Sequence, residues 1–223
     1  MTNSNGMQQI TASDGHSFGC HITRTTATRR GGLVILQEIF GVTDQLKSVA
    51  AAYAADGYDV AIPALFDRVQ PGTVVPFDKA PDGRDLMLKV APADALLDIT
   101  AAADAVRSGG KVAVIGFCWG GGLALRAAQN LNIAGAVAFY GTRLDSLLET
   151  PLKTAMQFHF GATDDHSPPE VIAAVQAAYP QAECHIYDTG HAFANDARPT
   201  VYNKAAADTA HGRTREFLAR VTA

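Results

Sequence analysis

Val112-Ala113-Val114-Ile115-Gly116-Phe117-Cys118-Trp119-Gly120-Gly121-Gly122 is the stretch on which the reading of this chain turns. Its first four residues are apolar without polar alternation, the pattern of a strand buried on both faces. The glycines then break the strand, and the residues to Asn130 read as a helix. Gly116-Phe117-Cys118-Trp119-Gly120 is therefore a G-x-nucleophile-x-G turn with Cys where Ser usually stands. Such a turn holds the nucleophile at the strand end, and its small flanking residues let strand and helix approach closely. The next backbone N–H, that of Trp119, then points where an oxyanion would form. The start of the helix also favours a thiolate. Two other readings compete. A phosphate cradle would need the second glycine of G-x-G-x-x-G or the lysine of a P-loop, and both are missing. An inert buried thiol is common, but Cys118 stands at the turn rather than in the strand.

Outward from this turn, short apolar runs recur at Leu33–Leu36, Asp59–Ile62, Gly135–Tyr140, Met156–Phe160 and Cys184–Tyr187. Helix-like stretches lie among them at Asp44–Asp56, Asp85–Arg107, Gly120–Asn130, Pro168–Tyr179 and Thr200–Val221. Strand followed by helix, repeated, implies an α/β fold with a mostly parallel central sheet and helices on both faces. Gln8–Ala12 and Phe18–Arg24 around Ser13-Asp14-Gly15 predict a hairpin ahead of it. Arg68–Arg84, with proline and glycine and no clear period, reads as a surface loop or a lid. With no linker, repeat or charge run, a single domain over residues 1–223 is the simplest organisation.

At 223 residues and 48% hydrophobic content the chain can bury a full core without staples. A net charge of −4 argues against a nucleic-acid partner. No apolar run is long enough to span a bilayer, and Met1–Ile10 is polar and lacks a signal pattern, so a cytoplasmic protein without a membrane partner is expected, as a monomer or weak homo-oligomer. The three cysteines, Cys20, Cys118 and Cys184, have no CxxC spacing, so neither a disulfide framework nor a thiolate metal site is expected. Cys20 and Cys184 read as packing residues.

A nucleophilic thiol needs a base. In such sheets, functional groups sit on loops at the carboxyl ends of strands. His191 follows the last strand in Thr189-Gly190-His191-Ala192-Phe193, and Asp164 follows the preceding one in Gly161-Ala162-Thr163-Asp164-Asp165. The chain order Cys, Asp, His is that of α/β-hydrolases. His191 would take the thiol proton and later give it to the leaving group, while Asp164 fixes its tautomer. Asp165 rivals Asp164 as the acid, with a helix cap as its bland role, and Asp188 is a weaker rival. His166 beside them suggests a metal, but the ligand spacing is poor. His159 and His185 read as structural, and His16, His21 and His211 as surface residues. Upstream, Gln37-Glu38-Ile39-Phe40-Gly41 follows the strand Leu33–Leu36. The Ile39 N–H is the candidate second oxyanion donor. Glu38, a carboxylate at the rim of the expected site, could hold Cys118 neutral or accept its proton until substrate arrives.

Four blocks together resemble the dienelactone hydrolase family: Gln37-Glu38-Ile39-Phe40-Gly41, Gly116-Phe117-Cys118-Trp119-Gly120-Gly121, His159-Phe160-Gly161-Ala162-Thr163-Asp164 and Gly190-His191-Ala192-Phe193. The resemblance implies an α/β-hydrolase fold and a Cys118–His191–Asp164 triad that cleaves a small lactone or related ester through an acyl-thiol. It also implies that Glu38 manages the resting thiol, and that no cofactor and no metal take part. Members acting on dienelactone carry an arginine shortly after the histidine motif, where this chain has Asn195, and a serine where it has Ala192. Arg84 is the match for a second substrate-binding arginine, and Arg143 a substitute. Phe40, Tyr140 and Trp119 would add aromatic walls. A general small-molecule carboxylesterase or thioesterase is the alternative activity. A ligand-binding protein that kept the fold without turnover is the alternative class.

Overall fold

The computed structural model describes residues 5–223. Met1–Ser4, the start of the polar N-terminal stretch, lie outside the described residues. The chain divides into two compact units, one up to Ala113 and the other from Val114 onward.

The first unit opens with the expected hairpin, β1 (Gly6–Thr11) and β2 (Ser17–Thr23), paired antiparallel from Gly6↔Ile22 to Thr11↔Ser17. Its turn closes through Gly15 N–H to Ala12 O at 3.0 Å. Next come β3 (Gly31–Leu36), α1 (Asp44–Ala55) and β4 (Tyr58–Pro63). β3 and β4 pair in parallel, β2 joins β4 antiparallel, and the order is β1-β2-β4-β3. Every residue of β3 and β4 is buried, as their Val, Ile and Leu content predicts, with α1 and α3 packed against them.

The long helix expected from Asp85 to Arg107 is two helices, α2 (Ala80–Lys89) and α3 (Pro92–Arg107). Pro92 explains the break, since the residue before a proline is pushed out of the helical region; Ala91 has ψ 132°. Arg68–Arg84 is likewise more ordered than an unpatterned loop. Arg68 grips the buried Asp98 through two bonds, of 2.6 and 3.0 Å. Val75 N–H donates to Phe40 O at 2.9 Å, and the Phe77 ring meets Phe40 edge-on at 4.9 Å.

The second unit carries most of β5 (Val112–Phe117), then α4 (Trp119–Asn130), β6 (Gly135–Phe139), β7 (Ala155–Gly161), α5 (Pro169–Ala178), β8 (Glu183–Tyr187) and α6 (Lys204–Thr222). Its order is β5-β6-β7-β8, and β6–β7 and β7–β8 pair in parallel. α4 and α6 pack on β6 and β7. The eight strands thus form a mostly parallel α/β architecture. No helix among the described residues is long and apolar enough to cross a membrane.

His159 and His211 lie inside this unit. His159, fully buried in β7, is held by Tyr187 Oη at 2.8 Å, Gln157 Oε1 at 2.9 Å and Thr214 Oγ1 at 3.0 Å. His211 is no surface residue: its ring lies 4.9 Å from that of Phe139, on the inward side of α6. Burial holds His159 well below its ordinary value, and burial with nearby Arg215 pushes His211 down to about 4. Both are neutral in the fold, whereas the unfolded chain protonates them below about pH 6.5. Their neutral form therefore supports stability above that pH, and the support is lost as pH falls from about 6.5 toward 4. The loss for His211 alone is about 2 kcal/mol by pH 5. Urea midpoints measured between pH 7.5 and pH 5 should fall accordingly, and His211→Phe should flatten the dependence.

Candidate active site

Cys118 occupies the turn between β5 and α4 at φ 54°, ψ −116°. A non-glycine residue there is strained and is held only by its surroundings. Its N–H donates to Phe139 O at 3.0 Å, and its carbonyl accepts from Gly121 N–H at 2.9 Å and Thr142 N–H at 3.1 Å. The glycines are sterically required: a Cβ on Gly116 would lie 1.8 Å from Gly120 O, and one on Gly121 2.6 Å from the Gly141 Cα. The elbow thus brings Cys118 partly to the surface. Trp119 follows as the first residue of α4, a position whose N–H the helix itself does not use. Cys20 is fully buried, and burial pushes its thiol far up; Cys184 rises to about 11 for the same reason. Neither has the setting of a nucleophile.

His191 lies on the loop after β8, and Asp164 on the loop after β7. The two meet at 2.8 Å, Nδ1 to Oδ2, and His191 is also hydrogen-bonded to the Cys118 side chain. Asp164 is 2% exposed, and its other oxygen accepts the His166 N–H at 2.8 Å. Asp165 and Asp188, the rival acids, are both exposed. Burial opposes a charge on His191. Its hydrogen bonds to Asp164 and Cys118 outweigh that and carry the imidazole up to about 10, so His191 holds its proton through neutral pH. A thiol, an imidazole and a buried carboxylate brought together are groups that can do acyl-transfer chemistry.

The remaining candidates separate. Tyr140 is buried beneath the imidazole, its ring edge-on to His191 at 5.2 Å and to Phe193 at 5.4 Å. Asn195 is 2% exposed, and its Oδ1 accepts the Ala197 N–H at 3.2 Å, so it braces its own loop. Arg143 is exposed in the second unit. In the first unit, Glu38 and Phe40 are buried, Ile39 is half-buried, and Arg84 is exposed on α2. The Gly83 of α2 approaches Ile39 so closely that a Cβ would sit 1.9 Å from its carbonyl oxygen. No group of three or more His, Cys, Asp or Glu side chains able to hold a metal is found among the described residues.

Two residues near Asp164 and His191 escape a pattern reading. Ser167 donates its hydroxyl to Gly141 O at 2.7 Å and is fully buried. His166 places its ring 4.5 Å from that of His191. The only signal for either was adjacency to Asp164.

Fold and elbow together define an α/β-hydrolase. The model of the dienelactone hydrolase family matches residues 18–222, and the chain belongs to that family. It is 32% identical to a carboxymethylenebutenolidase of Pseudomonas sp. (strain P51), over 95% of this chain and 94% of that one. It is 28% identical to carboxymethylenebutenolidase 1 of Cupriavidus pinatubonensis, over 95% of each. Among solved structures, a Klebsiella pneumoniae protein put forward as a dienelactone hydrolase superposes with TM-score 0.81 at 24% identity, covering 96% of this chain and 99% of the other. A dienelactone hydrolase-like promiscuous phosphotriesterase from metagenomic libraries gives 0.75 at 18% identity, over 99% and 100%. At those identities the likeness concerns the fold. The chain is thus a hydrolase of the dienelactone hydrolase type.

Proposed function

We propose that this enzyme hydrolyses a small lactone or enol ester through an acyl-thiol on Cys118. The observation that carries the reading is the line from the strained elbow thiol through His191 to the buried Asp164. The Cys118 sulfur attacks the carbonyl carbon while the Trp119 N–H receives the developing oxyanion. The ester C–O bond breaks, and the His191 proton goes to the departing oxygen. In a lactone that oxygen stays tethered to the acyl group. His191, now neutral, takes a proton from water. The hydroxide attacks the thioester, the C–S bond breaks, and the acid leaves with the thiolate restored. Asp164 keeps the tautomer and charge of His191 correct in both halves.

The names of the carboxymethylenebutenolidase relatives favour a lactone. One observation favours the alternative of neutral esters or thioesters: the position after the histidine motif holds a buried asparagine turned onto its own loop, not a cation. Intact-protein mass spectrometry after brief exposure to candidate lactones and to matched neutral esters tests both. An adduct of the acyl mass on the Cys118 peptide is expected. Turnover without any adduct at Cys118, even under rapid acid quench, would overturn the acyl-thiol.

The family resemblance further gives Glu38 control of the resting thiol. Glu38→Gln is then expected to change the pH dependence of Cys118 alkylation by iodoacetamide. An unchanged profile would remove Glu38 from the machinery.

A further inference from the structure

We infer that His166 is a positioning residue for His191: its ring and that of Tyr140 together fix the orientation of the His191 imidazole. The inference rests on the proposed roles of Cys118 and His191. The His166 ring centroid lies 4.5 Å from that of His191 with 64° between the planes, and Tyr140 meets the same imidazole at 5.2 Å and 68°. Both contacts are edge-to-face, the favoured geometry for aromatic pairs. Tyr140 is buried, whereas His166 is exposed, so the solvent-side contact on His191 is the one His166 makes.

The turn bearing His166 is fixed at each step. Asp164 N–H donates to Gly161 O at 3.3 Å, and Ser167 N–H to Asp164 O at 3.1 Å. His166 N–H donates to Asp164 Oδ1 at 2.8 Å, while Oδ2 of the same carboxylate holds His191 at 2.8 Å. The Ser167 hydroxyl then anchors the turn to Gly141 O, beside Tyr140. One carboxylate therefore sets both the triad histidine and the backbone that presents its neighbour. A T-shaped ring beside a protonated imidazole also supports its charge when it offers a π face. Neither effect needs His166 to touch substrate.

Kinetics of His166→Ala and His166→Phe on an activated ester test this. In His166→Ala, kcat should fall about tenfold with KM within twofold, since a loosened imidazole misplaces the transferred proton. The alkaline limb of kcat/KM should also move down by about half to one pH unit. His166→Phe, which keeps a ring at this position, should restore both. The inference is overturned if His166→Ala equals wild type, if the loss lies in KM, or if phenylalanine rescues neither kcat nor the limb. Unchanged melting temperatures in both variants exclude a folding effect; should His166→Ala melt lower, the comparison of His166→Phe with His166→Gln, which lacks a ring, decides by the same criteria. His191→Gln separates the two levels. An active His191→Gln sinks the reading of the site itself. An inactive His191→Gln beside a wild-type-like His166→Ala sinks only the inference about His166.

Discussion

Replacing Cys118 by alanine is expected to lower kcat on lactones and activated esters by on the order of 10⁴-fold or more, with the fold intact. The magnitude follows from the interdependence of nucleophile, base and acid, in which loss of the nucleophile removes nearly everything the set supplies. What survives would come from substrate binding and oxyanion stabilisation. The fold should tolerate the change. Cys118 is only partly buried, alanine and cysteine meet the same strain at φ 54°, and the bonds that hold the elbow run through the backbone. A melting temperature within a few degrees of wild type would confirm that activity, not structure, was removed. Serine is a sharper probe. It keeps the shape but places a hydroxyl, a weaker nucleophile, where His191 now meets sulfur. Cys118→Ser should also be nearly inactive, and its His191 should titrate below the value of about 10 seen beside sulfur. Hydrolysis at the original rate in Cys118→Ala would end the thiol mechanism.

Legibility in the sequence followed local chemistry. The elbow could be read because a buried strand, a nucleophile and flanking glycines are contiguous, and steric necessity ties them together: the Gly116 and Gly121 contacts leave no room for a Cβ. His191 and Asp164 were reachable because parallel sheets deliver their loops to one end. Choosing between Asp164 and Asp165 was not possible from spacing, since neighbours differ only in which way the turn points them. The structure directs Asp164 inward to His191 and leaves Asp165 exposed. His211 was misplaced for a related reason. Its helix is polar overall, and only the packing of α6 shows that its ring faces Phe139. The break between α2 and α3 was legible in Pro92 but was outweighed by the helix-favouring residues around it. The ring contact of His166 with His191 could not be foreseen, because it depends on a turn anchored by Ser167 to a strand end some 26 residues earlier.

Asp164→Asn should lower kcat by about 10²- to 10⁴-fold, whereas Asp165→Asn should stay within twofold of wild type. Asparagine fits the space, but its one oxygen serves only one of the two partners. Turned to the His166 N–H, it presents its NH2 donor to Nδ1; turned to His191, it offers a neutral carbonyl and leaves the His166 N–H facing a donor. In the first case Nδ1 must accept, the ring proton sits on Nε2, and the imidazole cannot take a proton from sulfur or water. In the second the tautomer survives, but the charge that stabilises the imidazolium is gone. Both lower the value of about 10 that His191 holds in the native site. The alkaline limb of the activity profile should therefore move toward neutral pH in whatever activity remains. Stability follows the same sign. The raised His191 contributes stability that is fully present below its unfolded value of about 6.5 and is lost as pH rises through about 10. The difference in unfolding free energy between wild type and Asp164→Asn should thus narrow across that alkaline range. A variant as active as wild type, with its limb unmoved, would show that the 2.8 Å contact between His191 and Asp164 braces a loop and does not tune a base.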